Sequence, residues 1–235
     1  MKIVSTMIVR NEADIIEACL TNTLSQCDKV LLADNGSDDD TVEIASKFKE
    51  VEIYSFPGLY RHGEAHNMLI KKCQNFDWVV PIDADEMWHG IREACIKAKN
   101  HTLIVPKIKH YMITIDDAKF EPTNFPNFKV EDILEHPRLI FKPTHMGRPV
   151  CVDDGCHNNN ISDKSITEYI TINHYPMRSS NQYEKKIEHG YKSFLERKTN
   201  PSVGRHWQPW YEAIKNKSFS NKFNRELNAN RSVLI

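Results

Sequence analysis

The feature that most constrains the fold is a regular alternation of apolar runs and amphipathic stretches across residues 1–105. Five runs rich in apolar and β-branched residues predict strands at 3–9, 30–33, 51–55, 78–82 and 102–105. Helices are predicted from Asn11, which can serve as an N-cap, and at 41–48, 65–73 and 91–99. This order predicts an α/β fold with a mostly parallel sheet and helices on both faces.

The alternation weakens beyond residue 105. Shorter strands are predicted at 108–115, 138–141 and 169–172. After Pro176, the pair Ser179 and Gln182 has the spacing of a capping box and predicts the start of a helix. We therefore predict a main domain at 1–176, with halves at 1–105 and 106–176, and a helical extension at 177–235.

Composition favours a soluble protein with a sizeable core. The chain has 235 residues, of which 40% are hydrophobic and 27% are charged. It has no apolar run of about 18 residues, the length needed to span a bilayer, and no signal-peptide pattern at its start. Its six cysteines have unrelated spacings, which favours reduced thiols over a disulfide framework. We expect a cytoplasmic location.

Charge is distributed unevenly along the chain. Residues 177–235 hold 12 Lys and Arg against 5 Asp and Glu, whereas residues 1–176 hold 19 against 27. A basic tail can meet an anionic partner such as a diphosphate or a membrane surface, or it can be an ordinary solvated helix. A peripheral membrane contact is therefore one expectation for the tail, and no nucleic-acid partner is expected.

Three polar clusters follow predicted strands, at residues 10–12, 34–37 and 83–85. In a parallel sheet the carboxyl ends of the strands share one edge, where ligands bind. Asp83 and Asp85 follow a buried strand and offer the oxygen ligands that a hard divalent cation needs, although solvated turns also carry such residues. Asp34 can belong to a well-formed turn or accept a hydrogen bond from a base or ribose.

Four segments in this order resemble the family 2 glycosyltransferases: residues 7–12, 33–41, 63–67 and 83–86. The resemblance covers about the first 100 residues. It implies the GT-A fold, in which a Rossmann-like nucleotide-binding sheet is flanked by helices. It also implies a nucleotide-sugar donor, a UDP-sugar above all, and Mn²⁺ or Mg²⁺ at the DXD motif formed by Asp83, Ala84 and Asp85.

The resemblance also implies roles for individual residues. Thr6, Val9 and Glu12 would line the nucleoside pocket, Asp34 would read the base, Asp83 would contact ribose and Asp85 would bind the metal. His66 stands where an arginine is usual, which weakens any phosphate contact from that position. The implied donor-binding set is Thr6, Val9, Arg10, Glu12, Asp34, Asn35, Asn67, Asp83, Ala84 and Asp85.

Later residues offer further metal ligands. In GT-A enzymes a histidine after the sheet can complete the metal site, so the resemblance makes His174 and His157 candidates beside Asp85 and Asp83. Cys151 and Cys156 next to His157 suggest zinc instead, but no fourth ligand lies at a familiar spacing.

The resemblance implies an inverting transfer in which a carboxylate acts as general base. The acceptor half offers several candidates, namely Glu131, Asp132, Asp153 and Asp154. Asp153 and Asp154 are preferred because they lie in a short polar turn. The expected acceptor is a saccharide or a lipid-linked glycan. The alternatives are a non-catalytic nucleotide-binding or glycan-binding subunit, and a sugar-phosphate nucleotidyltransferase, which should show a Gly-rich loop after the first strand.

Overall fold

The structure is a computed structural model that describes residues 1–114, 130–132, 138–153, 159–161, 165–166, 168–196 and 207–231. The predicted residues Asp154 and His157 lie outside these ranges. The chain forms two compact units. The first contains Met1–His110 and Glu131–Asn173, and the second contains Tyr111–Val130 and His174–Ile235.

Thirteen strands and seven helices are present in the described ranges. The strands are β1 (Ile3–Val9), β2 (Lys29–Asp34), β3 (Val51–Ser55), β4 (Trp78–Pro81), β5 (Glu86–His89), β6 (Leu103–Ile104), β7 (Lys107–Thr114), β8 (Val130–Asp132), β9 (Ile140–Phe141), β10 (Thr144–His145), β11 (Arg148–Pro149), β12 (Ser165–Ile166) and β13 (Tyr169–Met177). The helices are α1 (Ile16–Leu24), α2 (Thr41–Ser46), α3 (His62–Ile70), α4 (Ile91–Lys97), α5 (Ser180–Glu196), α6 (Gln208–Lys215) and α7 (Phe219–Arg231).

The main sheet has seven strands in the order β12-β6-β9-β4-β1-β2-β3. Strand β1 pairs in parallel with β2 and with β4, and β2 pairs in parallel with β3. Strand β9 is antiparallel to both β4 and β6, so the sheet is mixed. Strands β10 and β11 form a hairpin, and a further sheet has the order β5-β13-β7-β8. The predicted α/β class with a mostly parallel sheet is confirmed.

Strand β1 lies inside the sheet between β4 and β2, and all seven of its residues are buried. Its side chains alternate between the two faces of the sheet. Ile3, Met7 and Val9 pack in one core cluster with residues of α1 and α4, and Val4 and Ile8 pack in a second with residues of α3. Helices therefore cover both faces, and the polar loops after the strands are left at the edge.

The predicted N-cap at Asn11 is wrong. Helix α1 begins at Ile16, and Asn11 has a φ of 56°, in the left-handed region that asparagine tolerates better than most residues. Its side-chain Oδ1 accepts a hydrogen bond from the Asp38 backbone N–H at 2.9 Å. The side chain is used between two loops, so the helix starts later than its sequence pattern indicates.

The second unit contains the helices predicted for the C-terminal extension. The Gln182 backbone N–H donates to Ser179 Oγ at 3.1 Å, which confirms that Ser179 caps α5. Aromatic side chains of α5, α6 and α7 form a cluster with Met177: Tyr183, Trp210, Phe219 and Phe223. Within the described residues, no helix combines the length and apolarity that a membrane crossing requires.

Candidate functional site

The polar loops after β1 and β2 are held together by reciprocal hydrogen bonds. The Asn11 N–H donates to Ser37 Oγ at 3.1 Å, and the Glu12 N–H donates to Thr41 Oγ1 at 2.8 Å. Asp39 accepts from the Ala13 N–H at 3.1 Å and from the Thr41 N–H at 3.0 Å. These hydrogen bonds fix the shape of the two loops that were predicted to bind a nucleoside.

Asn35 and Arg10, both predicted donor-binding residues, have structural partners in the same region. Asn35 is 1% exposed, and its Nδ2 donates to the Phe56 carbonyl oxygen at 2.8 Å. The Arg10 Nη1 donates to the Asn35 carbonyl oxygen at 2.7 Å. Asp34 Oδ1 accepts from the Ser37 N–H at 2.9 Å, which closes the turn after β2. The Asp34 side chain therefore helps to form the turn in which it stands.

A cluster of charges lies after β4. The register places Pro81 of β4 opposite Thr6 of β1, so this cluster lies at the carboxyl ends of the parallel strands. The buried Asp85 is 3% exposed, and the buried Glu86 is 1% exposed. Arg138, just before β9, donates to Glu86 Oε1 and lies 3.5 Å from Asp83 Oδ2. Trp88 Nε1 donates to Glu86 Oε2 at 2.9 Å.

The charges in this cluster shift one another's pKa values. Burial opposes ionisation of Asp83, but the hydrogen bond from His62 and the charge of Arg138 outweigh it, so the pKa of Asp83 lies below its ordinary value. Burial also opposes the charge of Arg138, and the carboxylates of Glu86, Asp83 and Asp85 raise the Arg138 pKa above its ordinary value. Both groups therefore keep their charges at neutral pH.

Three carboxylates face the Arg138 guanidinium and the His62 imidazole here, so carboxylates outnumber the positive groups in the cluster even when His62 is protonated. Oxygen ligands with unbalanced negative charge suit a hard divalent cation such as Mn²⁺ or Mg²⁺. Asp83 and Asp85 therefore fit the cation that the DXD motif implies.

Helix α3 brings two histidines to this edge. His62 Nε2 lies 3.2 Å from Asp83 Oδ1, and the rings of His62 and His66 meet edge to face with centroids 4.5 Å apart. The fully buried His66 hydrogen-bonds through Nδ1 to Thr6 Oγ1 at 2.8 Å. Burial, followed by the charge of His62, lowers the pKa of His66 well below its ordinary value, so this imidazole is neutral.

Asn67, the next residue of α3, makes two hydrogen bonds with one backbone unit. Its Nδ2 donates to the Val152 carbonyl oxygen at 2.9 Å, and its Oδ1 accepts from the Val152 N–H at 2.8 Å. Val152 directly precedes Asp153, the candidate base, whose side chain is exposed. Asn67 therefore anchors the segment that carries Asp153.

The remaining predicted site residues are Val9, Ala84 and His174. Val9 is 1% exposed and Ala84 is 4% exposed, so both residues offer very little surface to a ligand in this structure. His174 lies in the second unit, and its role at the metal stays a prediction.

Sequence reasoning missed His62, Glu86 and Arg138. The spacing of four between His62 and His66 was visible in the sequence and predicts that both lie on one helix face. No local pattern connects Arg138 with Asp83, because these residues are 55 positions apart.

The chain is similar to a known protein family. The model of "Glycosyl transferase family 2" matches residues 6–129, more than half of the chain. No curated protein is similar enough in sequence to count as a match.

Solved structures are similar at low identity. S. aureus TarS residues 1–349 in complex with UDP is 16% identical with a TM-score of 0.47, over 87% of this chain and 68% of that one. S. aureus TarS is 14% identical with a TM-score of 0.48, over 88% of this chain and 42% of that one. Glucosyl-3-phosphoglycerate synthase from Mycobacterium tuberculosis with Mn²⁺ and UDP-glucose is 20% identical with a TM-score of 0.36, over 46% and 44%.

Proposed function

Because the chain belongs to glycosyl transferase family 2, we propose that it transfers a sugar from a UDP-sugar to a saccharide or glycan acceptor, with inversion at the anomeric carbon. The observation that supports this most strongly is the carboxylate cluster of Asp83, Asp85 and Glu86 at the carboxyl end of β4. It shares this edge with the interlocked loops after β1 and β2, where a nucleoside would bind.

Different residues of this chain would act on the donor and on the acceptor. Asp34 would accept a hydrogen bond from the base through the carboxylate oxygen that does not close its turn. A manganese or magnesium ion held by Asp85 and Asp83 would stabilise the negative charge on the departing diphosphate. Asp153 would remove the proton from the acceptor hydroxyl, a contribution of about 10²–10⁴-fold for general-base catalysis.

The alternative is a subunit that binds a nucleotide without turnover. Buried charge lowers stability unless it is compensated, and a cation bound by the donor would add to the compensation that Arg138 gives Asp85 and Glu86. Such a subunit would bind a nucleotide sugar and leave it intact.

The test is an assay of sugar transfer and of donor hydrolysis by the purified protein. UDP-glucose, UDP-galactose, UDP-N-acetylglucosamine and GDP-mannose are each supplied with Mn²⁺, with and without a panel of saccharide acceptors. We expect nucleoside diphosphate release from one UDP-sugar, its loss after chelation with EDTA, and its return on addition of Mn²⁺. Binding of a UDP-sugar without release of UDP under any condition would support the non-catalytic alternative and reject our proposal.

A further inference from the structure

Helix α3 presents two imidazoles to Asp83. His62 and His66 are four residues apart, which places them on the same face of the helix. One ligand atom from each of His62, His66 and Asp83 lies within 4.8 Å of the others. Two histidines at this spacing on a helix, with a carboxylate from a separate element, form a recurrent ligand set for zinc.

The buried His66 ring is oriented as in a metal site. Its Nδ1 is bonded to Thr6 Oγ1, and its Nε2 is buried with no hydrogen-bond partner among the described residues. When Nδ1 donates to the hydroxyl oxygen, Nε2 carries a lone pair. A buried acceptor without a partner is unfavourable, and a metal ion would supply that partner. Metal-bound histidines are typically held in this way, with the outer nitrogen bonded to a polar group that fixes the ring.

The spacing of the ligand atoms also suits a small metal ion. The distance between His62 Nε2 and Asp83 Oδ1 is 3.2 Å. Zinc bonds of about 2.0–2.1 Å in a tetrahedral arrangement hold neighbouring ligands about 3.3 Å apart. A modest movement of the ligands within the 4.8 Å limit would therefore complete a three-ligand site with a fourth position open.

Arg138 opposes a metal here, since its Nη2 lies 3.5 Å from Asp83 Oδ2. His62 opposes it as well while its Nε2 carries the proton donated to Asp83, and metal binding would displace that proton. The Arg138 guanidinium lies closer to Glu86 than to Asp83. Its positive charge interacts with the carboxylates of Asp83, Glu86 and Asp85. Once His62 has lost its proton, the three carboxylates outnumber the single guanidinium, so the surroundings of the two imidazoles are favourable to a dication.

We propose that His62, His66 and Asp83 form a site for a first-row transition-metal ion of the zinc class. Two imidazole nitrogens and one carboxylate oxygen are the ligands that Zn²⁺ and Co²⁺ prefer, whereas Mg²⁺ prefers oxygen alone. This site is distinct from the donor-cation site assigned to Asp85, although Asp83 belongs to both sites. It does not depend on the proposed function, because no nucleotide contributes a ligand.

The experiment uses Co²⁺ as a spectroscopic probe of the full chain without nucleotide. We expect one Co²⁺ per chain with visible ligand-field absorption, displaced by Zn²⁺ and not by Mg²⁺. His62→Gln and His66→Gln should each weaken Co²⁺ binding by about tenfold or more. The matched control His89→Gln removes an exposed histidine from β5 and should leave binding unchanged. Asp85→Asn removes one nearby charge and should weaken Co²⁺ binding less than either histidine variant does.

Other outcomes overturn the site. If His62→Gln binds Co²⁺ as the wild type does, or if Asp85→Asn alone abolishes binding, the ion belongs to the donor position. Because His66 is buried and its variant can fail to fold, X-ray absorption of the zinc-loaded wild type provides a second measurement: two imidazole ligands support the site, and oxygen ligands alone reject it. Absence of sugar transfer beside an intact Co²⁺ spectrum would reject only the proposed function.

Discussion

The two aspartates of the motif after β4 have different surroundings. Asp85 is 3% exposed, whereas the Asp83 side chain is 36% exposed and contacts His62 and Arg138. A carboxylate as buried as Asp85 needs compensation, which a cation or a hydrogen-bond network provides. Asp83 contacts His62 and Arg138 at the surface of the cluster. We therefore expect the two residues to have separate roles despite their identical chemistry.

The first prediction follows from this difference. Asp85→Asn should reduce metal-dependent turnover by about 100-fold or more, because one charge that holds the leaving-group cation is lost. Asp83→Asn should reduce turnover less, since this substitution mainly weakens the expected contact with the ribose and the contact with His62. Initial rates at saturating Mn²⁺ measure both, and Asp40→Asn serves as a control because Asp40 is exposed. Wild-type turnover by Asp85→Asn would contradict the assignment.

At the scale of elements, α3 connects the sheet edge with the segment before Asp153. His62 and His66 face Asp83 and Thr6, while Asn67 bonds both the N–H and the carbonyl of Val152. One helix thus contacts both the sheet edge and the segment that carries Asp153.

The second prediction concerns this anchor. Asn67→Ala should lower the free energy of unfolding by about 1–3 kcal/mol, because the Val152 backbone groups lose both side-chain partners. Turnover should also fall, since Asp153 follows Val152 directly. Urea denaturation and initial rates measure these effects, with the exposed Asn75→Ala as the matched control. A stability change within about 0.5 kcal/mol, the range typical of surface substitutions, would show that the anchor is dispensable.

The helices of the second unit depend on a close approach at Gly190. A Cβ at this position would lie 2.5 Å from Cζ3 of Trp207. Glycine in a helix interior is less favourable than alanine by about 1 kcal/mol, so packing against the indole ring has to outweigh helix propensity.

The third prediction tests that balance. Gly190→Ala should destabilise the protein by about 1–3 kcal/mol through overpacking. In a Trp207→Ala background the same substitution should become neutral or stabilising, because the ring that blocks the Cβ is gone. Chemical denaturation of the four proteins of this cycle gives the coupling energy. Lys192→Ala, on the exposed side of α5, is the control, and destabilisation of equal size in both backgrounds would disprove the steric explanation.

At the scale of the whole molecule, the parallel strands β3, β2, β1 and β4 collect the polar loops on one edge. The carboxylates of Asp83, Asp85 and Glu86 lie at this edge, whereas residues 177–235 carry an excess of Lys and Arg over Asp and Glu. Contact of that basic segment with a membrane surface stays a prediction.

The fourth prediction is that UDP with Mn²⁺ stabilises the folded chain. A ligand that binds only the folded state at 100 times its dissociation constant adds about 2.7 kcal/mol to the free energy of unfolding. We expect a higher Tm with UDP and Mn²⁺ together than with either alone, measured by differential scanning fluorimetry. ADP with Mn²⁺ is the control for base recognition, and an equal shift with ADP would argue against a uridine-specific site.

The sequence by itself determined the class of fold and the edge that carries the site. Apolar periodicity encodes the local elements, so β1 and β3 were predicted at their observed bounds, and the parallel order of the strands followed from the helices between them. The tertiary structure alone decided what the polar side chains contact. Arg138 reaches Asp83, and Asn67 reaches Val152, only because distant segments return to the same edge, and a local pattern contains no information about such pairings.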